Sequence, residues 1–311
     1  MEWYWIIILI LILLVAILFF LGYLFFLYMC KPNRERSLSL DGAEGRALQS
    51  YVPKIKMYAL QATKHPHETV SILSFDNLKL YANLYPNKRE KEFVILVHGY
   101  HSSSFWDFGA SFEMYYNEGY SILALNNRAH GSEGKYIGFG VLDSIDVKSW
   151  INWIIEKHGE NCKIAIAGVS MGAATVMLTA SRSNYIQLKC AIEDCGYSSL
   201  KGVVTEILKK KRVPVFPIFQ IASLWCKLLA GYFFEDANPE KALLCNKVPT
   251  LFIHGTSDGF VPFYMLDKVY NACHSEKNKI IFEDAVHGES SYKFPNRYKD
   301  ELIRFLNTYM K

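Results

Sequence analysis

The chain of 311 residues is predicted to fold as an α/β domain: a mostly parallel sheet with helices on both faces, a helical insertion, and one N-terminal helix able to cross a membrane. Three observations carry this expectation. No charged side chain occurs between Glu2 and Lys31. Beyond residue 92, short apolar runs alternate with longer amphipathic stretches. One long interval, Cys195 to Lys247, breaks that alternation.

The N-terminal helix comes first. A helix rises about 1.5 Å per residue, so roughly 20 apolar residues cross the hydrocarbon layer. The uncharged run is longer than that and leaves room for tilt. Trp3, Tyr4 and Trp5 at one end and Tyr28 at the other suit the membrane interface, where amphipathic rings gather. A cleaved signal peptide would carry a basic start, an apolar stretch of about 7–15 residues and a small-residue cleavage site. Here Glu2 opens the chain and bulky residues run on to Met29. Residues 1–30 therefore read as a single-pass transmembrane anchor that meets the lipid bilayer through 3–29. Lys31, Arg34 and Arg36 follow it, with Arg46 further on. Basic flanks stay in the cytoplasm, so the main domain is expected to face that side. Residues 31–50 are polar, with two glycines and a proline, and read as a linker.

Residues 51–311 are read as one domain, with 196–247 as a lid insertion. Within it, 69–86 forms two strands around Asp76 and Asn77, side chains suited to a turn. Strands are expected at 93–97, 121–125, 163–167, 188–192, 248–253 and 279–283. Their nearly continuous apolar character fits strands covered on both faces. Helices are expected at 105–117, 141–158, 171–183, 262–273 and 297–310. In 141–158, Val141, Ile145, Trp150, Ile151, Ile154 and Ile155 form an apolar side, with Asp143, Lys148, Glu156 and Lys157 on the rest. The alternation implies a parallel sheet with helices on both faces. The insertion carries two more helical stretches, 198–211 and 218–233, separated by Pro214 and Pro217, which interrupt a continuous helix. It holds more structure than a connection requires and reads as a lid.

Charge and cysteine content narrow the function. The formal charge of +4 is spread through the chain, so nucleic-acid binding has no electrostatic argument. Seven cysteines give an odd count without framework spacing. Cys162 and Cys190 lie near predicted core strands, where a free thiol behaves as a small apolar group. That fits a reducing compartment.

The motif Gly168-Val169-Ser170-Met171-Gly172 joins the strand KIAIA to the helix MGAATVMLTA. A strand–turn–helix context is what gives GxSxG its meaning as a nucleophile turn. The glycines allow close backbone approach, and helix N–H groups lie where negative charge would develop. A serine hydroxyl needs a base. His287, in 283–289, and Asp258, in 254–260, lie beyond the last two predicted strands, at the same sheet edge as Ser170. His287 is read as the base and Asp258 as its orienting acid. His254 is the competing histidine and is expected to brace the acid loop. Asp284, three residues from His287, would need a sharp turn to serve as the acid. For the oxyanion hole, the backbone N–H groups of Met171 and Tyr100 are the candidate donors, the latter in the loop His98-Gly99-Tyr100-His101 after strand FVILV. Arg128, with its fixed fork of donors, is expected to tie loops together, and His130 to lie near the same edge. His98, His101 and His130 match no helical H-x-x-x-H pair, so neither metal nor cofactor is expected.

With HGYHSSS (98–104), NRAHGSEG (127–134), GVSMG (168–172), HGTSDGFVP (254–262) and AVHGES (285–290), the chain resembles the α/β-hydrolase superfamily. The likeness is nearest to its esterase and serine-peptidase-like branch with an inserted helical lid. It spans roughly 93–310 and leaves out the membrane helix. It implies a serine, acid, histidine order met by Ser170, Asp258 and His287, and oxyanion donors at the amides of Tyr100 and Met171. Asn127 departs from the aspartate common before the RxHG run. The expected activity is hydrolysis of a carboxylic ester through an acyl-serine. A serine peptidase acting on a peptide-like substrate and a catalytically silent, membrane-tethered scaffold are the alternatives.

Overall fold

The computed structural model describes residues 3–32 and 48–311. Most of the expected linker, with Arg34, Arg36 and Arg46, and Glu2 with it, lies outside the described residues. Helix α1 (Trp3–Cys30) is long and apolar enough to cross a membrane. Helix α2 (Val52–Ala62) follows in a stretch for which the sequence suggested no element. Its lysines mask the short apolar stripe that buries Ile55 and Ala62.

Eight strands form one sheet in the order β1-β2-β4-β3-β5-β6-β7-β8. Strands β1 (Glu68–Leu73) and β2 (Lys79–Tyr85) make the expected hairpin, with Asn77 at φ 62° in its turn. Ser74 Oγ accepts from the N–H of Leu78 at 2.9 Å there. Strand β2 also runs antiparallel to β4 (Tyr120–Asn126). The remaining pairings are all parallel: β3 (Arg89–Val97), β5 (Lys163–Val169), β6 (Leu188–Asp194), β7 (Thr250–Gly255) and β8 (Lys277–Phe282). Parallel strands bring their C-terminal ends to one edge, and chemistry on such sheets gathers there.

Side chains alternate between the two faces along each strand. Val94, Leu96, Ile122 and Ala165 pack on one side with α3 (Ser104–Asn117) and α11 (Pro295–Tyr309). Phe93, Ile95, Leu123 and Ile166 pack on the other with α4 (Val141–His158) and α5 (Met171–Ser181). Helix α4 occupies its expected span and buries Trp150, Ile151 and Ile154, whereas Ile145 is exposed. Its start is fixed by Asp143, whose Oδ2 accepts from Gly140 N at 2.9 Å, an acid placed where the helix dipole favours it.

The insertion between β6 and β7 is helical: α6 (Leu200–Lys210), α7 (Ile218–Ala230) and the short α8 (Pro239–Leu243). Helix α9 (Tyr264–Ala272) and the single turn α10 (Ser290–Lys293) complete the fold. Phe219, Ala222 and Cys226 of α7 pack into one apolar cluster with Met171, Phe139, Tyr232 and Phe234.

Helix α1 does not stand apart from this cluster. Phe26 and Cys30 are buried in it, and a Cβ on Gly22 would lie 2.4 Å from Ile221 Cγ2. Trp225 donates from Nε1 to the carbonyl of Phe19 at 3.1 Å and sets its ring 5.1 Å from that of Tyr23. The carbonyl of Cys30 accepts from Ile137 N at 2.8 Å. The later turns of α1 are thus part of the domain's packing, while Trp3 to Val15 are exposed.

Candidate active site

Ser170 sits between β5 and α5 at φ 57°, ψ −116°, a strained conformation for a non-glycine residue. The surroundings hold it there. A Cβ on Gly172 would lie 1.9 Å from Val97 O, and one on Gly168 would lie 2.2 Å from Gly172 O, so strand and helix approach as only glycine allows. Ser170 N donates to Asp194 O at 2.9 Å, which ties the turn to the end of β6.

His287 follows β8 and Asp258 follows β7, at the same edge. His287 Nε2 is 2.9 Å from Ser170 Oγ, and its Nδ1 is 2.7 Å from Asp258 Oδ2. Asp258 Oδ1 accepts from the N–H groups of Phe260 and Val261 at 2.9 and 2.8 Å. All three side chains are buried. Burial alone would raise the Asp258 carboxyl, but the facing imidazoles of His287 and His254 outweigh it and hold the carboxyl well below its usual range. For His287, burial opposes protonation, yet Asp258 raises its proton affinity well above the ordinary histidine value. A carboxylate on Nδ1 leaves Nε2 as the atom that faces the serine.

His254 acts as a brace. It is fully buried, and its Nε2 lies 3.0 Å from Val261 O and 3.2 Å from Asp258 Oδ2. Asp284 adopts φ 55°, and the acid beside His287 is Asp258. Sequence reasoning missed Cys195, whose Sγ is 3.9 Å from His287 Nε2. Burial pushes this thiol up to about 12, so it stays protonated at neutral pH. Cys195, Asp258 and His287 bring potential ligand atoms within 4.8 Å of one another, but the acid and imidazole atoms are already engaged with each other.

The loop after β3 passes close to the serine, because a Cβ on Gly99 would lie 3.2 Å from Ser170 Cβ. Gly99 N donates to Asp107 Oδ2 at 2.6 Å, and Ser102 Oγ donates to Asp107 Oδ1 at 2.5 Å. The Gly99 amide is therefore committed to the loop itself, and Tyr100 is the next in line. Met171 is the first residue of α5, where N–H groups lack intrahelical partners. Burial raises the Asp107 carboxyl to about 6 against these bonds. This acid was not signalled by any motif.

The neighbouring loop is a structural clamp. Arg128 binds Asp146 through Nε and Nη2 at 2.6 and 2.7 Å and reaches Asp76 in the hairpin turn at 3.1 Å. Asn127, the departure from the common aspartate, donates from Nδ2 to His98 O at 2.8 Å and ties its loop to the one after β3. His130 Nε2 accepts from His101 N at 3.0 Å, with Nδ1 against Arg128 O at 3.0 Å. Both ring nitrogens of His130 thus hold loops together.

Comparison with known proteins agrees with this geometry. Residues 88–195 match the family model of serine aminopeptidase S33 (Hydrolase_4). The uncharacterized protein YqkD of Bacillus subtilis is 27% identical over 191 residues, 61% of this chain and 63% of that protein. The match thus spans less than two thirds of that relative's length. The uncharacterized membrane protein YNL320W of Saccharomyces cerevisiae is 25% identical over 247 residues, 78% of this chain and 80% of that one. Among solved structures, the Pyrococcus furiosus esterase Pf2001 superposes with a TM-score of 0.67 at 24% identity, covering 81% of this chain and 94% of its own. The Pyrococcus horikoshii acylaminoacyl peptidase superposes at 0.57 with 20% identity, covering 80% of this chain and 43% of its own. The chain has the fold of the α/β-hydrolase superfamily with an inserted helical region, and Ser170, His287 and Asp258 stand in a catalytic-triad-like arrangement within it.

Proposed function

We propose that the protein is a serine hydrolase that cleaves a carboxylic ester through an acyl-serine intermediate. The observation that carries this reading is the continuous hydrogen-bonded chain from Ser170 Oγ through the His287 ring to Asp258. His287 takes the Ser170 proton as the hydroxyl attacks the acyl carbonyl. The N–H groups of Tyr100 and Met171 receive the oxyanion. His287 then protonates the leaving alcohol, the acyl-serine forms, and a water activated by His287 releases the acid. Asp258, kept ionised, stabilises the imidazolium at each transfer.

Ester cleavage is favoured over amide cleavage by the likeness to an esterase across nearly its whole chain and by the apolar cap beside the site. The family model's description and the partial likeness to an acylaminoacyl peptidase keep a peptidase reading in play. Steady-state kinetics on a fluorogenic ester series of graded acyl length, against a dipeptide series, tests the choice. Dipeptides turned over with higher kcat/KM than every ester would reverse it.

In this reading residues 1–30 are the membrane anchor, 31–50 the linker and 51–311 the hydrolase domain, with 196–247 as its lid. The anchor crosses the bilayer once. Lys31, Arg34 and Arg36 beside its end favour a cytoplasm-facing domain.

A further inference from the structure

Helix α7 divides its surface three ways. Phe219, Ala222 and Cys226 turn to the core, and Ile221 and Trp225 meet the anchor helix. Leu224 and Leu228, a turn apart, fall on the flank beside Ile221 and Trp225 at about 100° per residue, and they are 39% and 63% exposed. Just before α7, Phe216 is 74% exposed and Val213 is exposed as well. Apolar side chains scattered singly on a surface need no explanation, but a contiguous patch does. This surface adjoins α1, which meets α7 at Phe19, Gly22 and Tyr23 and whose preceding residues Trp3 to Val15 are exposed and apolar. A second observation sits next to it. Lys209 and Lys210, the last two residues of α6, and Lys211 and Arg212 after them form a run of four cations, all exposed, before Val213. A polybasic run followed by apolar and aromatic residues has the composition of a segment held at an anionic lipid surface.

We infer that α7 and the segment 209–217 before it lie in the interfacial layer of the bilayer that α1 crosses, with anionic headgroups meeting the cations 209–212 and acyl chains meeting Phe216, Leu224 and Leu228. The inference rests on the reading of α1 as a membrane helix. The occupant is lipid because the exposed flank of α7 adjoins the anchor helix and because the run 209–212 beside it is cationic, with Glu206 offsetting Lys209 at 3.3 Å. The other face of α7 shares a cluster with Met171, the residue after Ser170. The cap therefore spans from the bilayer to the nucleophile turn, and the substrate class is an ester with an acyl chain drawn from the membrane.

The test uses the full chain reconstituted in vesicles of neutral and anionic phospholipid. Cys245, an exposed cysteine, is replaced by serine, and a fluorophore is placed singly through Phe216→Cys, Leu228→Cys or Ile186→Cys. Ile186 is 77% exposed and precedes β6, at the opposite edge of the sheet. Flotation with the vesicles reports the anchor, and quenching by a nitroxide on the lipid acyl chain reports the cap. Quenching at 216 and 228 is expected to exceed that at 186 by roughly threefold or more, and to weaken in K209E/K211E while flotation persists. A chain that floats but is quenched equally at all three positions overturns the inference alone. A chain that fails to float overturns the membrane reading of α1 and the inference with it.

Discussion

The hydroxyl of Tyr100 donates to the carbonyl oxygen of Met29 at 2.9 Å, joining the loop beside the nucleophile to the last turn of α1. The Tyr100 ring also stacks on Phe139 at 5.4 Å, within the cluster that buries Phe26 and Cys30. The residue whose backbone N–H is proposed to meet the oxyanion is thus positioned by its side chain against α1. Tyr100→Phe keeps the ring and removes the bond. A net cost of about 1 kcal/mol in stability is expected. A drop in kcat of severalfold, with KM nearly unchanged, is the outcome in which the loop loses its aim. An unchanged kcat would mean that the bond is only a tether.

Deleting residues 1–30 exposes the cap surface around Ile221 and Trp225 and the loop at Tyr136. Burying a large apolar side chain contributes roughly 1.5–3 kcal/mol, and α1 supplies Phe26 outright, with Tyr23 beside Trp225. The truncated domain is expected to melt at lower temperature than the full chain in detergent and to aggregate on heating. Differential scanning fluorimetry and light scattering would show it. Equal melting temperatures would mean that the docked helix contributes no stability.

Much of the site was legible in the sequence because its residues lie at strand ends. Ser170 lies in a five-residue motif between two recognisable elements, and His287 and Asp258 follow apolar runs that could hardly be anything but strands. Helix α4 was legible because its apolar side is long and periodic. The docking of α1 was not, because its partner Trp225 is some two hundred residues away and uniform apolarity carries no facial pattern. Gly22, the one glycine in that run, was the available hint of a close approach. Cys195 and Asp107 were invisible for another reason: one follows the end of β6 and the other sits in the first turn of α3, and no motif or spacing rule marks either.

Asp258→Asn tests the electrostatics of the base. Asp258 raises the proton affinity of His287, and catalysis needs that ring neutral in the free enzyme. The wild-type kcat/KM is expected to rise with pH along a limb above the ordinary histidine value. In the variant the limb moves to lower pH, while the maximal rate falls by about 10⁴-fold because the imidazolium and its tautomer are no longer held. A variant with an unmoved limb would detach Asp258 from the base.

Asp194 yields a prediction on stability. Its carboxyl is buried, with one oxygen accepting from Tyr298 Oη at 2.9 Å and the other lacking a side-chain or backbone partner. Burial raises it from 3.8 to about 6. The folded chain therefore keeps a proton that the unfolded chain has lost, so stability falls as pH rises between those values and levels off above the higher one. This group accounts for up to about 3 kcal/mol of that fall. Asp194→Asn removes that slope and is expected to close the gap to wild type, or pass it, above pH 7. Denaturant unfolding at pH 4 and pH 8 measures it, and parallel pH slopes in the two proteins would refute it.

The most direct test of the central claim is to treat the detergent-solubilised chain with a fluorophosphonate and locate the adduct by mass spectrometry. A serine activated by a hydrogen-bonded imidazole attacks phosphorus and stays phosphonylated. The account predicts a single adduct on Ser170, absent in a folded Ser170→Ala variant, with ester turnover lost by roughly 10⁴-fold or more in that variant. A folded wild-type protein that never labels, or a Ser170→Ala protein that retains most ester hydrolysis, would contradict it.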